Sequence, residues 1–218
     1  MGYYVLKGKK IMQGAIFDLD GVIVDTAKYH YRAWKEIADG FGFDFTEKDN
    51  ERLKGVSRMK SLEILLEVGK ITGLSEAEKD KIATQKNKRY VEMLSSLNKG
   101  ELLPGAKEYL QKLKAENVKI ALGSASKNAP YILDKLRISD LFDAVVDGNC
   151  VSKAKPDPEV FLTAAQALNL KPSECCVFED SQAGIDAAIC GGFHTVAIDK
   201  NGILLGAERK AKCLKDLL

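Results

Sequence analysis

Apolar positions along this chain follow two rhythms. The first clear run is Ile11 to Leu19, where Gly14-Ala15-Ile16-Phe17 leads into Asp18 and the chain then reaches Gly21. A short unbroken apolar run that ends in acidic residues and a glycine predicts a buried parallel strand handing its carboxylates to a loop. From about Ala27 to Leu97 the rhythm is helical. His30, Ala33, Trp34, Ile37 and Ala38 share one face, as do Leu62, Leu65, Leu66 and Gly69, and Ile82, Lys86, Tyr90, Met93, Leu94 and Leu97 continue the spacing. Ser75-x-x-Glu78 reads as a capping box at the start of that last helix. The region predicts a small helical bundle.

After Asn98-Lys99-Gly100 strand and helix alternate. Pro104-Gly105 opens a helix running to about Ala115, and Val118 to Ser124 is a strand. A helix near Pro130 to Arg137, a strand near Ala144 to Asp147, a helix after Pro158, a strand Cys175 to Phe178, a helix near Ala183 to Cys190 and a strand Thr195 to Ile198 follow. Such alternation implies an α/β fold, a parallel sheet with helices on both faces. The first strand needs partners and belongs to that sheet, so the helical bundle is an insertion. The expected division is a core of residues 11–26 and 98–218 with an inserted helical domain at 27–97. The first ten or so residues and the stretch Glu208 to Leu218 carry no usable motif.

Composition narrows the function. The chain has 218 residues, 45% of them hydrophobic and 29% charged, enough for a sizeable core. With 33 basic and 31 acidic side chains the net charge is +2, which gives no bulk attraction to nucleic acid or to an anionic membrane. A small-molecule partner and a monomer are expected. No apolar stretch approaches the length of a bilayer span, and Tyr3 to Leu6 is too short for the core of a signal peptide, so the expected compartment is the cytoplasm. Cys150, Cys175, Cys176, Cys190 and Cys213 lack C-x-x-C spacing and are expected to be reduced thiols, mostly core fillers.

Ligands of open parallel sheets gather beyond the carboxyl ends of the strands. The residues ending the apolar runs there are Asp18 and Asp20, Ser124, Lys155 shortly before a helix, and Glu179 with Asp180. Taken alone, any of these acids reads as a solvated loop carboxylate. As a set converging on one rim they would repel and shift one another's pKa values unless a cation sits among them. Oxygen-only ligands point to Mg²⁺, which also suits a phosphorylated substrate.

These residues carry a resemblance. Asp18-Leu19-Asp20-Gly21-Val22-Ile23-Val24-Asp25-Thr26 resembles the first motif of the haloacid dehalogenase superfamily, and Ser124, Lys155-Pro156 and Glu179-Asp180-Ser181 match the second, third and fourth in order. The resemblance runs from Gln13 to about Asp199 and implies a Rossmann-like core with an inserted cap. It implies Asp18 as a nucleophile forming an aspartyl phosphate and Asp20 as general acid and base. Ser124 and Lys155 would hold the transferring phosphoryl group. Mg²⁺ would be held by Asp18, the backbone carbonyl of Asp20, Asp180 and Glu179.

Three further blocks resemble the sugar-phosphate mutase branch of that superfamily. Lys54-Gly55-Val56-Ser57-Arg58-x-x-Ser61 is similar to its cap loop, in which the arginine holds the phosphate that is not reacting; a planar guanidinium can grip two phosphate oxygens at once. Thr26, His30 and Trp34 match its hinge and first cap helix, with the histidine coupling cap closure to the acid/base Asp. Ser124-Ala125-Ser126-Lys127-Asn128 is similar to its sugar-phosphate loop. Taken singly, His30 and Trp34 read as packing residues and Arg58 as a surface side chain. The implied reaction interconverts β-D-glucose 1-phosphate and β-D-glucose 6-phosphate through β-D-glucose 1,6-bisphosphate. The alternatives are a Mg²⁺-dependent phosphatase of a small phosphorylated metabolite, a mutase of another hexose or disaccharide phosphate, and a non-catalytic binding protein. The intact Asp18 and Asp20 speak against the last.

Overall fold

The computed structural model describes residues 5–6, 9–10, 12–53 and 55–218. Ile11, at the start of the first expected strand, and Lys54 lie outside the described residues. A short antiparallel pair, β1 (Val5–Leu6) and β2 (Lys9–Lys10), precedes β3 (Gly14–Phe17). Four helices follow: α1 (Ala27–Gly40), α2 (Glu47–Glu51), α3 (Arg58–Val68) and α4 (Glu76–Leu94). The chain then continues through α5 (Ala106–Ala115), β4 (Lys119–Gly123), α6 (Ala129–Leu136), β5 (Ala144–Val146) and α7 (Glu159–Ala167). It ends with β6 (Cys175–Glu179), α8 (Gln182–Cys190), β7 (His194–Ile198) and β8 (Arg209–Ala211).

The main sheet has the order β5-β4-β3-β6-β7-β8, with every neighbouring pair parallel. β3 sits at its centre, and all four of its residues are buried, as a strand covered on both faces requires. Ala15 and Phe17 point into one apolar cluster with Leu122, Phe178, Tyr109 and Leu133; Ile16 points into the other with Val177, Phe161 and Ala187. Phe17 stacks on Phe178 at 4.5 Å and fixes β3 against β6 at the end where both acidic loops begin.

The inserted helices close round a third cluster that includes Trp34, Phe45, Leu62, Leu65 and Ala83. Their ends are where local chemistry puts them. Thr46 with Asp49 and Ser75 with Glu78 form capping boxes, and Ser57 caps α3 by accepting from the Lys60 N–H. α1 leaves the core directly after Thr26, and the returning chain pairs Leu102 with Val24. Two expectations needed revision. The stretch after Glu208 contains β8, which extends the sheet by pairing Arg209 with Val196. Of the cysteines, only Cys175 and Cys176 are buried, whereas Cys150 and Cys190 are exposed and Cys213 lies between. No helix among the described residues is long and apolar enough to cross a membrane.

Candidate active site at the carboxyl edge of the sheet

Asp18 follows the last residue of β3, and its N–H donates to the Phe178 carbonyl at 2.9 Å, so the ladder itself aims it past the sheet edge. The chain then turns at Gly21, whose φ of +82° favours glycine. A methyl group there would also lie 1.9 Å from an Asp180 carboxylate oxygen. Glu179 ends β6, and Ser181 both caps α8 through the Gly184 N–H at 3.1 Å and donates to Glu179 Oε1 at 2.6 Å.

Lys155 arrives on the connection after β5, before a cis peptide to Pro156. Its Nζ lies 2.6 Å from Asp18 Oδ1 and 2.8 Å from Glu179 Oε2, and all three side chains are buried. Burial opposes its charge, but Asp18 and Glu179 outweigh it and hold the lysine above its ordinary pKa. Burial pushes the Asp18 carboxyl up to about 7 against the pull of Lys155. Asp20 rises to about 8, through burial first and then the Asp18 charge, and accepts a hydrogen bond from the buried Thr26 hydroxyl. A carboxyl of that pKa is protonated at neutral pH and can serve as an acid.

Asp18, Glu179 and Asp180 each bring a carboxylate oxygen to within 4.8 Å of the others. This hard, all-oxygen donor set carries more negative charge than Lys155 balances, which is the setting a divalent cation fits. On the neighbouring strand, buried Ser124 follows β4 and its Oγ accepts from the Ser126 N–H at 3.1 Å. Ala125, Ser126, Lys127 and Asn128 continue along the wall of the same cavity, about 760 Å³ in volume.

The insertion closes the other side. Gly55, Val56, Arg58 and Ser61 line this cavity from the start of α3, with His30 and Trp34 from α1. Among the cavity residues that sequence reasoning missed is Lys86 of α4, which appeared only as a member of the apolar stripe. It is 2% exposed, with its Nζ 2.8 Å from His30 Nδ1, 4.8 Å from the Trp34 ring centre and 4.7 Å from that of Tyr90. Burial, then the Arg58 charge, lowers it to about 7, while burial and the charges of Lys86 and Arg58 keep His30 well below its usual value. The only signal in the sequence was its place in the stripe, four residues after Ile82 and four before Tyr90. Thr26 and Glu179 stand behind the wall, and of the expected site residues only Lys54 lies outside the described residues.

A buried acid after the central strand, a second acid two residues on, a lysine bridge and an acidic pair at the end of the next strand together form the candidate site, a carboxylate-rich edge over a parallel sheet. The haloacid dehalogenase-like hydrolase family matches residues 12–192, and the chain belongs to that family. It is 46% identical over 207 residues to the β-phosphoglucomutase of Bacillus subtilis, covering 94% of this chain and 92% of that protein. It is 34% identical to a phosphorylated carbohydrates phosphatase of Thermotoga maritima, covering 85% and 84% of the two chains. The crystal structure of β-phosphoglucomutase from Clostridium difficile superimposes with a TM-score of 0.91 at 42% identity, over 95% of this chain and 94% of that one.

Proposed function

We propose that the protein is a Mg²⁺-dependent β-hexose-phosphate mutase that interconverts β-D-glucose 1-phosphate and β-D-glucose 6-phosphate. The observation that carries this reading is one cavity lined both by the Asp18–Lys155 pair with the Ser124 loop and by Arg58 of the insertion, residues 27–97, which acts as a cap. A phosphatase needs only the first of these groups. A mutase must hold a bisphosphate by either end, and the likeness to the B. subtilis and C. difficile mutases supports that choice.

Asp18, Glu179, Asp180 and the Asp20 carbonyl would hold Mg²⁺, which supplies positive charge against the phosphate oxygens. An Asp18 oxygen bonds to phosphorus as the bond from phosphorus to the sugar oxygen breaks, and Asp20 gives that oxygen its proton. In the reverse sense Asp20 takes the proton from the accepting sugar hydroxyl as the phosphoryl group leaves Asp18. Ser124 and Lys155 grip the phosphoryl oxygens, while Arg58 holds the distal phosphate. Thr26 ties Asp20 to the start of α1, so the position of the acid depends on that of the cap. His30, Trp34 and Lys86 form its roof, with Gly55, Val56 and Ser61 beside Arg58. Lys54 is assigned here through its motif alone. Every group the reaction needs comes from one chain, which suits a monomer acting on a diffusible cytoplasmic metabolite.

The test is a product assay with β-glucose 1-phosphate, Mg²⁺ and a trace of the bisphosphate. Formation of glucose 6-phosphate is expected; rapid inorganic phosphate without it would refute the mutase in favour of the phosphatase.

A further inference from the structure

The turn Asp147-Gly148-Asn149 has no part in the chemistry above, yet it follows the Ser124 loop residue by residue. β5 lies beside β4, with Val146 opposite Gly123, so the chains leaving the two strands run side by side. The Ser124 N–H donates to the Val146 carbonyl at 3.0 Å. Gly148 faces the Ala125 carbonyl so closely that a methyl group on it would lie 2.3 Å from that oxygen. The Gly148 N–H reaches the Ser126 carbonyl at 3.4 Å, and the Asn149 side-chain amide donates to the Lys127 carbonyl at 3.2 Å. Residues 125 to 127 of the loop thus each meet the turn, and Ser124 meets Val146 just before it.

The turn has its own anchor. The Asp147 carboxylate is buried, and among the described residues no cation pairs with it. It accepts instead from the Asn149 N–H at 2.8 Å, the Asn149 side-chain amide at 3.1 Å and the Cys150 thiol at 3.5 Å. A buried carboxylate needs such donors, and taking them from Asn149 fixes that side chain where its remaining hydrogen meets Lys127. With its carbonyls held from behind, the loop presents Ser124, Ser126 and Asn128 to the cavity in one arrangement.

We propose that Asp147, Gly148 and Asn149 are positioning residues that set the shape of the phosphate-gripping loop before substrate arrives. This rests on the reading that the Ser124 loop binds phosphate. A loop already ordered loses less freedom on binding, so loosening it weakens affinity, whereas displacing it misplaces the reacting groups. The two perturbations have different signatures. Asn149→Ala removes one fastening and should raise KM for β-glucose 1-phosphate by about fivefold, with kcat within about twofold. Gly148→Ala pushes on the Ala125 carbonyl and should lower kcat/KM by about 100-fold, mostly in kcat.

The experiment measures kcat, KM and Mg²⁺ affinity for both variants, with Ser124→Ala as reference and Ser96→Ala as control; Ser96 is exposed and its hydroxyl donates to the Met93 carbonyl. Mg²⁺ affinity should match the parent in both turn variants, because the carboxylates that would hold the metal stand at the ends of β3 and β6. Amide exchange at residues 125–128 should quicken in Asn149→Ala. A purely structural turn would instead lower thermal stability with kcat and KM both unchanged, and that result overturns the proposal. If Ser124→Ala raises KM while Asn149→Ala and Gly148→Ala leave both constants at parent values, the positioning role fails and the loop reading stands. If Ser124→Ala leaves KM unchanged, the loop reading itself fails.

Discussion

Lys86 offers a quantitative test, because an amine that is 2% exposed is costly to keep charged. Its pKa falls from 10.5 to about 7, and at 1.36 kcal/mol per unit the penalty below pH 7 is about 5 kcal/mol. Two effects offset it in the parent. Stacking of the ammonium on Trp34 and Tyr90 stabilises by about 1–2 kcal/mol, and its hydrogen bond to His30 by about 1 kcal/mol. Lys86→Met, of similar length and without the charge, should therefore stabilise the ligand-free protein by about 2 kcal/mol at pH 6.5. For a chain of this size that raises Tm by about 4–8 °C. The sign with pH follows from proton counting. Between about 7 and 10.5 the unfolded lysine is protonated and the folded one is not, so the parent gains stability as pH rises through that window. The methionine variant's advantage is thus largest below pH 7, shrinks by about 1.4 kcal/mol per pH unit above it, is gone near pH 8.5 and has reversed by pH 10, while its mutase turnover falls steeply. Thermal melts of both proteins at pH 6.5, 8 and 10 read this directly. A variant less stable than the parent at pH 6.5, or an advantage independent of pH, would refute the reasoning.

Other residues make separable predictions. Arg58→Ala should lower mutase kcat/KM by about 100-fold but hydrolysis of a monophosphate without a distal anion by less than about threefold, measured on the two substrates in parallel. Equal losses would remove Arg58 from the distal phosphate. Gly184→Ala places a methyl group 2.0 Å from the Glu179 carboxyl carbon, so Mg²⁺ affinity from activity titrations should fall by about tenfold, with parent-like kcat at saturating metal. Thr26→Val frees Asp20 from the hinge and should slow turnover about tenfold with little change in Mg²⁺ affinity, read from steady-state kinetics.

The core was legible because its signals are local. Runs such as Gly14–Phe17 and Cys175–Glu179 are short, apolar and end in acids, and a parallel sheet places all such ends on one edge. The capping box at Ser75 was equally plain. What escaped depended on distant partners. β8 has only exposed Arg209 and Lys210 and half-buried Ala211 at an edge, and is a strand because β7 offers it a ladder. Lys86 lay hidden in a helical stripe because its role appears only when α4 packs against α1 and brings His30 to it. Gly148 carries no sequence signal at all, since its need for a bare Cα comes from a carbonyl on another strand.

The central claim is that Asp18 carries a phosphoryl group and gives it to sugar rather than to water. The most direct measurement starts from enzyme phosphorylated on Asp18 with radiolabelled phosphate and mixes it with unlabelled β-glucose 1-phosphate and Mg²⁺ for a single turnover. The account predicts that the label leaves Asp18 for the 6-position of the sugar, in the bisphosphate and then in glucose 6-phosphate. Label released chiefly as inorganic phosphate would contradict it.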